Sequence, residues 1–152
     1  MSRIAAVANR IEASILAITP ETRTVAGAKF IRSDKPLLND AAARSFYLDS
    51  AGDFQWSGEL SQDREGSIMD ETLDLTIRYT GSPNQRAIRD VIRQDVIRIQ
   101  YELLDPGNWI DAENQWRCQR RAFGGVSVSR TGDGDGAQII VTIPITITYR
   151  PF

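Results

Sequence analysis

The chain contains no histidine and a single cysteine, Cys118. Without an imidazole, Ser-His-Asp and Cys-His nucleophile arrangements are excluded, and one thiol cannot form a disulfide within the chain. The usual zinc sets draw on His or several Cys, so a zinc centre is not expected. Glycine-rich phosphate loops are also missing: there is no Walker A pattern and no G-x-G-x-x-G after a strand pattern. No stretch approaches the roughly 18 uncharged apolar residues of a membrane helix. The expectation is a protein without catalytic site, cofactor or membrane span. Lysine is nearly absent too. Of the 18 cationic residues 16 are Arg, which leaves only Lys29 and Lys35.

What is present fits one domain over residues 1–152, 41% hydrophobic and 25% charged, long enough to fold without disulfide or metal. The net charge of −2 argues against a broadly basic surface, hence against sequence-specific nucleic-acid binding. Arg forks pair with carboxylates in two-point geometry and suit protein interfaces; codon bias in a GC-rich genome accounts for the Arg excess equally well. Met1-Ser2-Arg3 runs straight into a helical pattern without the apolar core of a signal peptide. The expected location is a cytoplasm or a particle assembled there.

Ile4, Val7, Ala8, Ile11, Ile15 and Ile18 recur at helical spacing, which predicts a helix over 3–17, capped by Ser2 and stopped by Pro20. Residues 25–31 predict a short strand, Ser33 to Pro36 a turn, and Arg44 to Leu48 a strand with Phe46 and Leu48 on one face. Asp49 to Gly66 is polar and Gly-punctuated and reads as a long loop; within it Phe54 and Trp56, two residues apart, suggest a short strand or an anchor, or fold back onto the core. Residues 71–80 alternate cleanly, with Leu73, Leu75, Ile77 and Tyr79 on one side, as in a half-buried strand. A second helix opens with Ser82 as N-cap and Pro83 at its first position. It buries Ile88, Val91, Ile92, Val96, Ile99 and Leu103 and ends at Asp105-Pro106-Gly107. Residues 116–129 predict a strand or bent strand pair with a bulge at Gly124-Gly125. Residues 132–136 predict the tip of a hairpin, and residues 137–150 the longest strand. The fold class is α+β: a four- or five-stranded, mostly antiparallel sheet with two helices packed on one face.

Chemistry-bearing groups are few. Asp90 and Asp95 each have an Arg three or four residues away, the spacing of exposed helical ion pairs. Arg86, Arg89 and Arg93 share a helix face and, with Arg117, Arg120 and Arg121, could meet phosphate, an acidic neighbour, or only solvent. Asp133 and Asp135 alternate with glycines, but the flanks are strand-like rather than the helices of a calcium loop. Pro144 interrupts the longest strand. It cannot donate to a ladder, so it belongs on an edge, where a partner subunit would cover it, or at a bulge within the chain's own sheet. On the first reading Ile140 and Pro144 are contact residues.

The amphipathic first helix, the strand Leu73-Asp74-Leu75-Thr76-Ile77-Arg78-Tyr79, the helix from Gln85 to Leu104 and the final strand Ile139 to Tyr149 resemble, in order and length, the tail terminator proteins of long-tailed bacteriophages. That resemblance implies a small domain forming a hexameric ring that caps the tail tube and joins it to the head. A related neck protein would look similar. Implied partners are identical copies, tube and neck proteins, in a virion assembled in the bacterial host cytoplasm. By analogy, residues 49–66 with Phe54 and Trp56, and the tip with Asp133 and Asp135, would be ring-contact loops, and Arg86, Arg89 and Arg93 an interface patch. The competing class is a monomeric or dimeric ligand-binding or regulatory domain with Phe54, Trp56 and Trp109 lining a pocket.

Overall fold

A computed structural model describes residues 3–20, 29–36, 42–57, 67–81, 84–105, 120–132 and 136–151. Its elements run α1 (Arg3–Leu16), β1 (Ile31–Arg32), β2 (Ser45–Trp56), β3 (Met69–Thr80), α2 (Gln85–Leu104), β4 (Arg120–Phe123), β5 (Ser127–Thr131) and β6 (Gln138–Tyr149). The class is α+β, with six strands in a mostly antiparallel sheet ordered β1-β2-β3-β6-β4 and β5 also on β6. Because β4 and β5 lie along successive stretches of one side of β6, the sheet is five strand positions wide.

The two strands with the clearest alternation form its centre. β3 and β6 pair without a register break from Met69↔Tyr149 to Thr80↔Gln138. On one face Leu73, Leu75, Ile77 and Tyr79 meet Ile139, Val141, Ile143, Ile145 and Ile147, all buried in one cluster with Val7, Ile11 and Ile15 of α1 and seven-residue-spaced positions such as Ile92 and Ile99 of α2. The other face is half-buried and rich in threonine. There Thr72 and Thr146 hydroxyls lie 3.3 Å apart and Thr148 donates to Asp70 at 2.6 Å.

Several expectations are corrected. β2 does not stop at Leu48 but continues to Trp56, so the short strand suggested by Phe54 and Trp56 is the far end of β2, and Phe54, 65% exposed, does not fold back onto the core. The strand survives the polar stretch because a bulge absorbs it. Between Ser50↔Leu73 and Phe54↔Glu71, β2 spends two more residues than β3, and Gly52 supplies the positive φ of 89°. α2 is capped by Asn84, whose side chain accepts from the Ala87 N–H at 3.1 Å; Ser82 and Pro83, like Ser2, lie outside the described residues. Pro144 is not on an edge, since β6 is paired on both sides. Its carbonyl accepts from the Gly124 N–H at 3.0 Å. A strand residue directs its amide and carbonyl to the same side, so the missing N–H faces the break between β4 and β5. There residues 124–126 pass opposite only Ile143 and Pro144. A Cβ on Gly124 would stand 3.2 Å from the Pro144 Cβ, and glycine lets the chain cross the ring.

The least expected feature lies beneath the sheet. Arg44, fully buried, donates from Nε and Nη2 to Asp95 at 2.8 and 3.0 Å, and Tyr79 donates to the same carboxylate at 2.7 Å. Asp95 was expected on the exposed face of α2 beside Arg98; it is instead 3% exposed. Its helix register places it between Val91, Ile92 and Ile99 on the inward stripe. Arg44 also has φ of 62°, a left-handed backbone costing a non-glycine residue roughly 1–3 kcal/mol. That conformation is held by its N–H to the Arg78 carbonyl at 2.7 Å and by the Ile31 N–H to its own carbonyl at 3.0 Å. The Phe30 ring covers the guanidinium, 5.7 Å from centroid to Cζ. One residue thus joins β1, β2, β3 and α2.

Removing one partner strands a buried charge. Asp95→Ala is expected to destabilise by about 3–5 kcal/mol, whereas Arg44→Met/Tyr79→Phe/Asp95→Leu costs far less or stabilises. Urea denaturation of both variants checks this; equal losses would show that packing rather than the ion pair dominates.

Candidate functional site

The sheet has two dissimilar flanks. On one, β1 pairs only with Ser45 and Phe46. From Tyr47 to Trp56 no described strand covers the outer side of β2, and residues 49–55 are exposed. Phe54 is 65% exposed. It stands opposite Glu71, and Trp56, half-buried, opposite Met69. At this end Tyr149 donates to Glu71 at 3.0 Å, and Ser50 reaches the same carboxylate at 3.5 Å.

On the other flank β5 is exposed along its whole length, with Val128 58% exposed. α2 lies beside it: Gln85, Ile88, Arg89 and Ile92 form a shallow hollow with Val128, Arg130 and Ile139. Farther along, Arg121 donates from Nε to the Leu103 carbonyl at 3.1 Å and from Nη2 to that of Leu104 at 3.4 Å. This satisfies acceptors that the helix end leaves open and sets a cation at its negative pole. Ile97, Tyr101 and Leu104, 54%, 75% and 49% exposed, line an outward groove with Gln94, Arg98, Glu102 and Asp105. The sequence reading missed this stripe. Its signal was present, since 97, 101 and 104 fall at helical spacing, but it runs opposite the stronger stripe that fills the core.

Arg86, Arg89 and Arg93 are all exposed on α2, and Arg93 makes a loose pair with Asp90 at 3.4 Å. Only Arg89 of the three lines the hollow beside β5. Ile140 and Pro144 are half-buried on the threonine-rich face, opposite Arg78 and Asp74. They are not brought together with the arginines or with Phe54 and Trp56. Neither of those aromatics lines the grooves beside α2. Asp133, Asp135, Trp109, Arg117 and Cys118 lie outside the described residues. Among the described residues no group of three His, Cys, Asp or Glu could hold a metal ion, and no helix is long and apolar enough to cross a membrane. No protein-family model matches the chain, and no curated protein matches it.

Two phenols are perturbed. Burial pushes Tyr149 up to about 12, helped by its hydrogen bond to Glu71 and that residue's charge. Tyr79 is raised well above its ordinary value by burial and then by the charge and hydrogen bond of Asp95, against the opposing pull of Arg44. Both bind their protons more tightly folded than unfolded, where tyrosine titrates near about 10. Their stabilisation is complete below about pH 10 and is lost as pH rises through the folded values. Tyr149→Phe should therefore lose stability less steeply than the parent between about pH 10 and 12, measured by urea unfolding at stepped pH; parallel curves would contradict the assignment.

Proposed function

We propose that this chain is a structural virion protein: the subunit of an oligomeric ring that caps a phage tail tube and joins it to the head-neck complex. The observation that carries the reading is the outward stripe Ile97, Tyr101 and Leu104, three large apolar side chains in line on a helix whose other face already fills the core. A contiguous exposed apolar patch marks an interaction surface. Burying each of these side chains against a neighbour is worth about 1.5–3 kcal/mol. The two flanks of the sheet support a ring rather than a twofold dimer. They are unlike one another, and contact between unlike surfaces propagates from copy to copy until the rotation closes. The architectural resemblance to tail terminators supplies the tail, the head and the virion location, and assembly takes place in the host cytoplasm.

Negative-stain electron microscopy of the purified chain tests this. Annular particles of constant diameter are expected for the parent. Ile97→Ser/Tyr101→Ser/Leu104→Ser, which touches only exposed positions, should leave the circular-dichroism spectrum unchanged and abolish the annuli. Dispersed small particles from the parent would overturn the reading.

A further inference from the structure

We infer that copies of this chain join edge to edge, the outer edge of β2 in one copy pairing with the outer edge of β5 in the next. The inference rests on the ring reading above and names the surface that would close it.

No described strand covers residues 47–55 of β2, where the bulge binds the Ser50 N–H to the Asp49 carboxylate at 2.8 Å and the Gly52 N–H to the Ser50 hydroxyl at 3.1 Å, or the outer side of residues 127–131 of β5. An exposed edge is a template for adding a strand. Charge selects the partner. β2 carries Asp49 and Asp53, both exposed, and no Lys or Arg along its length. On the same flank Arg32 is already engaged by Glu12 at 2.6 Å and Asp34 at 3.5 Å. The opposite edge carries Arg120 and Arg130, with Arg121 turned to the Leu103 and Leu104 carbonyls, and no carboxylate over residues 120–132. The exposed Arg86, Arg89 and Arg93 of the adjoining α2 extend that basic side, with Asp90 between them. Pairing β2 with a second β2, or β5 with a second β5, sets like charges together. Pairing β2 with β5 sets acid against base.

Strand direction agrees. β2 runs antiparallel to β3, β3 to β6, and β6 to β4 and β5, so β2 and β5 point in opposite directions within one copy. A rotation about an axis along the strands preserves direction in every copy. It therefore brings β2 against the neighbour's β5 antiparallel, the better hydrogen-bonded arrangement. The core side of each edge then offers an exposed apolar residue to the joint, Phe54 beside Glu71 and Val128 beside Val141.

Light scattering after size exclusion tests the pairing with two full-length variants, Asp49→Lys/Asp53→Lys and Arg120→Glu/Arg130→Glu. Each alone should need at least tenfold higher concentration than the parent to associate, and an equimolar mixture should recover the parent's association, because each supplies the charge the other's edge requires. If either variant alone associates like the parent, edge pairing between β2 and β5 is overturned while the ring stands. If the mixture fails to recover although both variants keep the parent's circular-dichroism spectrum and thermal midpoint, the pairing is overturned as well. A parent that stays monomeric at every concentration overturns the pairing and the ring together.

Discussion

The buried pair between Arg44 and Asp95 determines how the rest of the molecule is arranged. A carboxylate held at 2.8 and 3.0 Å by one guanidinium, and at 2.7 Å by a phenol, has both oxygens hydrogen-bonded in a largely apolar core. Its attachment points are far apart in sequence: the entry to β2, the end of β3 and the middle of α2. Holding Asp95 inward also fixes the rotation of α2 about its axis. At 100° per residue, positions 97, 101 and 104 fall roughly on the far side of the helix from position 95. The side chains available for an outside contact are thus exposed by the same interaction that closes the inside.

The sheet distributes its strength unevenly. β3 and β6 are paired along their full length, buried on one face and half-covered on the other. Outward from this pair the strands become irregular. β2 carries a two-residue bulge, β1 is two residues long, and the β4–β5 edge breaks where the chain crosses Pro144. Bulges and breaks are the usual means by which edges avoid indiscriminate pairing. Here they lie on edges that differ in charge, with Asp49 and Asp53 on β2 and Arg130 on β5.

Periodicity made much of this legible. The stripe from Ile88 to Leu103, the alternation from Leu73 to Tyr79 and that from Ile139 to Tyr149 report local geometry that neighbouring residues enforce together, and each element lies where its pattern predicts. The Arg44–Asp95 pair was not legible, because 51 residues separate its members and an Asp on a helix rich in Arg has the pattern of a solvated ion pair. β2 was cut short for a related reason. The stretch Asp49-Ser50-Ala51-Gly52-Asp53 reads as loop by composition, and only pairing with β3 on both sides of the bulge keeps it extended. The same lack of long-range information left Pro144 open between an edge and a place within the chain's own sheet. Its place inside the sheet is eased by Gly124, twenty residues earlier, which has no Cβ to crowd the ring.

The central claim is that unlike flanks of one domain associate into a closed ring, and its most direct test is the molar mass of the parent chain by light scattering across a concentration series. A closed ring predicts a rise to a plateau at an integral multiple of the 17.0 kDa chain mass, with no further growth on concentration. A mass that stays at that of one chain throughout, or settles at twice that value, would contradict it.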